Sequence, residues 1–218
     1  QRQMCIRDSY NHVTVPGLAP NTTYYYTVEK NGVQTEVETY QTRSFDTVKM
    51  LYVGDPQIGA SKGQPQGGET LAAESGAANT AARNDAFGWN RTLEAALAQD
   101  PDVSFIISAG DQVNKTGQAK EEEYAGYLSP DVLASLPVAT TIGNHDKSSV
   151  DYTGDTYRDV LGPRWYSFNR GEVHFVAMDN CLFSGQDYTG GFTDEQVAWL
   201  EKDLSFVPTS KMIVLYYH

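Results

Sequence analysis

The feature that most constrains this chain is a set of four strand-length apolar runs that all end on side chains with an oxygen or nitrogen donor atom. "KMLYVGD" ends at Asp55, "DVSFIISAGDQVN" at Asp111 and Asn114, "LPVATTIGNHD" at Asn144, His145 and Asp146, and "KMIVLYYH" at His218. A fifth run, "EVHFVAMDN", has the same β-branched and aromatic character. Helical patterns lie between the runs, at about residues 84–99, 119–135 and 193–205. Strands alternating with helices require an α/β or α+β unit whose sheet is covered on its faces. In open α/β sheets, sites gather at the carboxyl ends of the strands. Any one polar ending is ordinary turn chemistry, because turns favour Asp, Asn and Gly. Four in succession place their donors on one rim. In three of them a glycine (Gly54, Gly110, Gly143) precedes the donor and is expected to let the backbone bend.

Smaller readings complete this half of the chain. Thr193 and Gln196 form a capping-box signature for the last helix, with acids in its first turn. "RWYSFNRGEVHFVAM" reads as a hairpin turning at Arg170-Gly171. Residues 59–83 are rich in Gly, Ala, Gln and Ser and read as a long loop, a candidate substrate-contacting segment. His174 lies in mid-strand and reads as structural. The acid run Glu121–Glu123 reads as a solvated helix face.

Residues 10–46 differ in character. They are rich in Thr, Tyr and Val, and Asn31-Gly32 between two alternating runs is a strong hairpin signal. Tyr24, Tyr25 and Tyr26 read as strand surface. Residues 1–9, "QRQMCIRDS", show neither strand alternation nor a secretory pattern and read as a non-native or disordered tail.

Acids outnumber bases 28 to 16, a formal charge of −12, which argues against a general nucleic-acid binder. No apolar run reaches the length of a membrane span. Two distant cysteines, Cys5 and Cys181, make neither a disulfide scaffold nor a metal knuckle. Nothing in the sequence assigns an oligomeric state.

The order Asp-x-Gln, Gly-Asp-x-x-Asn, Gly-Asn-His-Asp and a later lone His resembles the calcineurin-like metallophosphoesterase superfamily, from about residue 48 to the end. "PGLAPNTTYYYTV" resembles the later strands of a fibronectin type III-like sandwich, the domain that precedes the catalytic one in purple acid phosphatases. The resemblance thus implies a partial all-β sandwich over 10–46 and an incomplete α/β (α+β) metallophosphoesterase domain over 47–218. It implies a hydrolase of phosphate monoesters or diesters in which water bridging two divalent cations attacks phosphorus. Asp55 and Gln57 would serve the first metal, Asn144 and His218 the second, and Asp111 would bridge. His145 would stabilise charge on the substrate, Asp146 would orient that imidazole, and Asn114 would either fix its loop or sit near the substrate.

Departures from the family pattern carry expectations too. Gln57 replaces the usual histidine, which tilts the metal preference from Zn toward Mn, Mg or Fe. Asn114 stands where the purple enzymes carry a tyrosine, so no charge-transfer colour is expected. The closing Gly-His-x-His motif does not occur in these 218 residues, which implies one ligand fewer for each metal and weak or partial metal binding. The fibronectin-like piece implies a location outside the cytoplasm. The competing reading is a non-catalytic binding or adhesion protein on a degenerate phosphoesterase scaffold.

Overall fold

The structure, a computed structural model, describes residue 13 and residues 15–61, 77–114, 120–147, 151–185 and 187–218. The tail expected over 1–9 and most of the loop expected over 59–83 lie outside the described residues. The described elements begin with β1 (Thr23–Tyr26), β2 (Glu29–Lys30), β3 (Val33–Gln34) and β4 (Glu38–Gln41). β1 pairs antiparallel with β4, and β2 with β3. Asn31 and Gly32 both take positive φ, 53° and 78°, which is the turn an Asn-Gly hairpin uses to match strand twist.

The larger unit contains two three-stranded sheets. Sheet I is parallel, in the order β5 (Met50–Val53), β6 (Phe105–Ala109), β7 (Val138–Thr141). Sheet II has the order β12 (Met212–Tyr216), β9 (Val173–Ala177), β8 (Tyr166–Arg170), with β12 parallel and β8 antiparallel to β9. A small antiparallel pair, β10 (Cys181–Ser184) and β11 (Asp187–Gly190), stands apart. The expected hairpin is β8–β9, where Arg170 pairs with Val173 around Gly171 at φ 53°.

β6 explains the layering. All five of its residues are buried, as a strand covered on both faces requires. Ile106 faces one way, into a core with Ile58 of the loop after β5 and with Trp89, Leu93 and Tyr127 from the covering helices α1 (Ala77–Gln99) and α2 (Lys120–Leu128). Phe105 and Ile107 face the other way, against Phe175, Ala177 and Tyr216 of sheet II. The Phe105 and Phe175 rings meet edge to face at 5.3 Å. Each such buried side chain contributes roughly 1.5–3 kcal/mol. The outer side of sheet II carries His174, which bonds Asp203 of α4 (Asp194–Leu204) at 2.7 Å and Asn169 at 3.1 Å, so its structural reading holds. No helix among the described residues is long and apolar enough to cross a membrane.

Four expectations need correction. α1 starts at Ala77, so the last residues of the expected loop are helical; an Ala-rich stretch needs no apolar stripe to favour helix. The helix expected over 119–135 ends at Leu128, before Pro130, and resumes as a 3-10 turn at Asp131–Ala134. Glu123 is not solvated: it is 5% exposed and accepts a hydrogen bond from the Asn114 backbone. A short helix, α3 (Asp155–Leu161), went unread. The Asp151 carboxylate, not a side chain at the cap position, accepts its first N–H groups.

Candidate metal centre

The loops after β5 and β6 leave sheet I side by side. Gln57 N–H donates to the Asp111 carbonyl at 2.8 Å, Ile58 N–H to Gln112 at 3.1 Å and Asn114 N–H back to Ile58 at 3.0 Å. This pairing continues the sheet into its own rim. Asp55, Gln57 and Asp111 all adopt left-handed backbone, at φ 52°, 38° and 53°. That conformation costs an L-residue roughly 1–2 kcal/mol, and such strain collects at functional sites. Close approach sets two of the glycines. A Cβ on Gly110 (φ 88°) would lie 2.6 Å from the His218 ring, and one on Gly143 would lie 2.1 Å from the Asp111 carboxylate. Gly54 is under no such constraint, since a Cβ there meets only Ala109 at 4.0 Å.

Asp55, Asp111 and His218 each present a ligand atom, and these atoms lie within 4.8 Å of one another. Asp55 is exposed, Asp111 is buried and His218 is half-buried. Gln57 reaches the same carboxylate, its Nε2 lying 3.1 Å from Asp111 Oδ2. Asn144 Oδ1 is 3.0 Å from His218 Nε2. The five residues expected as ligands are therefore brought together.

Two histidine tautomers follow from backbone carbonyls, which can only accept. His218 Nδ1 is 2.8 Å from the Ala109 carbonyl and must donate to it. In the neutral ring Nε2 is then a lone pair, yet it faces Asn144 Oδ1 at 3.0 Å and Asp111 Oδ1 at 3.5 Å. With the amide so oriented three acceptors converge, and a cation, a second proton on the ring, or the Asn144 amide turned to present its Nδ2 reconciles them. Among the described residues the basic groups within 4.0 Å of the Asp111 carboxylate are two histidines, with neither lysine nor arginine. A buried carboxylate so placed fits a divalent-metal ligand. His145 Nδ1 likewise donates, to the Asn114 carbonyl at 2.7 Å, leaving Nε2 4.0 Å from Asp111 Oδ2.

The expectation that Asp146 orients the His145 ring is corrected by these bonds, because the Asn114 carbonyl takes that task. Asp146 is fully buried and accepts from Gly143 N–H at 2.9 Å, Gln112 N–H at 3.3 Å and the Tyr124 hydroxyl at 2.9 Å. Burial pushes its carboxyl up to about 7, against the pull of those hydrogen bonds. Its task is to join the loops after β6 and β7. The Asn114 side chain turns its Nδ2 toward the Gly59 carbonyl of the neighbouring loop, 3.5 Å away.

Sequence reading missed a second polar group behind the site. Asp179 ends β9 as Asp111 ends β6, and "AMDN" is a fifth polar strand ending that carried the signal. Lys147 and Arg164 meet Asp179 Oδ2 at 2.5 and 3.0 Å. Gln196 brackets the Asp179 backbone, accepting its N–H at 3.0 Å and donating to its carbonyl at 2.9 Å. Thr193 does cap α4, accepting Gln196 N–H at 3.2 Å, but the Gln196 amide is spent on Asp179.

Several known proteins are similar to this chain. The profile of the calcineurin-like phosphoesterases matches residues 48–207. The chain is 25% identical over 126 residues to the probable glycerophosphodiester phosphodiesterase GpdQ of Arcobacter nitrofigilis, a match covering 54% of this chain and 42% of that protein. Its fold is similar to that of purple acid phosphatase PPD1 from yellow lupin (Lupinus luteus) seeds. That likeness has a TM-score of 0.57 at 18% identity and covers 92% of this chain and 37% of the lupin chain. The chain spans less than half the length of either protein. With the profile spanning most of its length, and a mixed α/β fold bearing acid, amide and imidazole donors on one rim, this chain belongs to the calcineurin-like phosphoesterase family.

Proposed function

We propose that this chain carries the machinery of a divalent-metal-dependent phosphoester hydrolase with two metal positions. The observation that carries the reading is the convergence of Asp55, Asp111 and His218 beside an imidazole, His145, whose Nε2 is left for substrate. Asp55 and Gln57 would hold one cation, Asn144 and His218 the other, and Asp111 both. Bound there, the cations would supply an activated water and would neutralise charge on the phosphoryl oxygens.

The chain's own residues do the rest. Asn114 fixes the His145 ring so that a protonated Nε2 can donate to a phosphoryl or leaving-group oxygen. The His145 side chain is 38% exposed, open enough to meet an ester. The strained backbone at Asp55, Gln57 and Asp111 holds the donors in place before any ligand arrives. The names of a phosphodiesterase relative and a phosphatase neighbour support phosphate esters as the substrate class.

The test is hydrolysis of p-nitrophenyl phosphate and bis(p-nitrophenyl) phosphate by metal-stripped protein given millimolar Mn2+. Metal-dependent release of nitrophenol that survives Gln57→Ala and is lost in Asp111→Asn supports the reading. No turnover of either ester together with no metal uptake would sink it in favour of a binding scaffold. We also infer that residues 10–46 are the back part of a fibronectin-like sandwich and that the protein works outside the cytoplasm. The Tyr-rich β1 and the Asn31-Gly32 hairpin support the first inference, and fractionation of the source cells tests the second.

A further inference from the structure

The residues proposed for the second cation come from different sheets. Asn144 leaves β7 of sheet I, and His218 leaves β12 of sheet II. What lies between the sheets is largely apolar, Phe105 and Ile107 against Phe175, Ala177 and Tyr216. Direct polar ties run from Thr141 Oγ1 to the Met178 carbonyl at 2.7 Å, from the Tyr166 hydroxyl to the Thr140 carbonyl at 2.8 Å and from His218 Nδ1 to the Ala109 carbonyl at 2.8 Å. None of these three reaches the loop that carries Asn144. Apolar contact is non-directional and does not by itself set how far one sheet slides along the other. Two ligand atoms 3.0 Å apart need that slide held to a fraction of an ångström.

A chain of polar contacts runs between the two ligands. Lys147, three residues after Asn144, leaves sheet I and places Nζ 2.5 Å from Asp179 Oδ2 and 2.7 Å from the Cys181 carbonyl, both on the sheet II side. Asp179 is immobilised by Gln196 on its backbone, by Arg164 on Oδ2 and by Cys181 N–H on Oδ1 at 3.1 Å. Its neighbour Asn180 donates Nδ2 to the His218 carbonyl at 2.7 Å. The loop that carries Asn144 is thus tied through one buried ion pair to the residue that holds His218.

Resting on the phosphoesterase reading above, we propose that Lys147, Asp179 and Asn180 form a positioning unit that sets Asn144 against His218 across the two sheets. None of the three would touch substrate or metal. Their effect is on metal affinity, through the distance between two ligands that belong to separate sheets.

The experiment is a Mn2+ titration of the whole chain, read by the electron paramagnetic resonance of free Mn2+, with a thermal scan of each protein. Lys147→Met and Asn180→Ala should each weaken Mn2+ binding by roughly 10–100-fold. His174→Gln, which breaks the His174–Asp203 contact on the far side of the same sheet, should lower Tm and leave Mn2+ affinity unchanged. Wild-type affinity in both Lys147→Met and Asn180→Ala would overturn the proposal, as would an equal loss in His174→Gln. If Lys147→Met does not fold, Asn180→Ala decides, since its residue is only half-buried. A wild-type chain that takes up no Mn2+ would overturn the metal reading itself, so the two failures are distinct.

Discussion

Asp111 and Asp179 invite comparison, because both are buried carboxylates at the ends of central strands, with side chains 2% and 1% exposed. Their surroundings are opposite. Asp179 faces Lys147 and Arg164 and has its backbone held by Gln196. Asp111 faces two histidines, the Gln57 amide and the His145 N–H. It also shares its rim with a second acid, Asp55, and sits on left-handed backbone. A carboxylate paired to fixed cations does structural work, while one left among histidines and an amide fits a mobile cation. Burial alone does not distinguish them. Partner chemistry does.

The largest effect that could break this comparison is on stability. Asp179→Asn leaves Lys147 and Arg164 without their carboxylate and should cost roughly 3–5 kcal/mol. For a chain of this size that is about 2–4 °C of Tm per kcal/mol, read in a thermal scan. Asp111→Asn should leave the Tm of the metal-free protein nearly unchanged, yet reduce Mn2+-dependent ester hydrolysis by at least about 100-fold. Equal Tm losses in the two variants would erase the distinction.

Asp146 is an intermediate case, a buried acid held by hydrogen bonds alone. Tyr124→Phe removes one of its three donors and should cost about 1–3 kcal/mol in denaturant unfolding. A neutral result would show that the two backbone donors suffice. The smallest effect concerns Cys181, next to the Asp179 cluster. Burial, followed by the nearby Asp179 charge, pushes its thiol up to about 12, from 9.0. The unfolded chain therefore loses this proton above pH 9 while the folded chain keeps it, so stability falls as pH rises from 9 toward 12. Between pH 9 and 10 this contributes about 1 kcal/mol, and Cys181→Ala should flatten the fall by that amount. An identical pH slope in the variant would remove Asp179 and burial as effective influences on the thiol.

Much of the site was legible because its parts are local. A donor at the end of an apolar run, with a glycine ahead of it, can be seen within ten residues, and Asp55, Gln57, Asp111, Asn144 and His218 do converge. What misled the reading was contact between distant segments. Asp146 looked like a partner for His145, its neighbour in sequence, yet it faces Tyr124 and the loop after β6. Glu123 looked like part of a solvated acid run until the loop carrying Asn114 packed against it. Gly54 looked like the other two glycines, although no opposing loop comes close to it.

By itself, then, the sequence determined the alternation of strands and helices and the kinds of donor delivered to one rim, because periodicity and turn chemistry act over a few residues. Only the tertiary structure decided which acid meets a lysine and an arginine and which is left among histidines and an amide. Lys147 and Asp179 are 32 residues apart, and Asn144 and His218 are 74 apart on separate sheets. Such pairings depend on how two packed sheets come to rest against each other, and no local pattern encodes that.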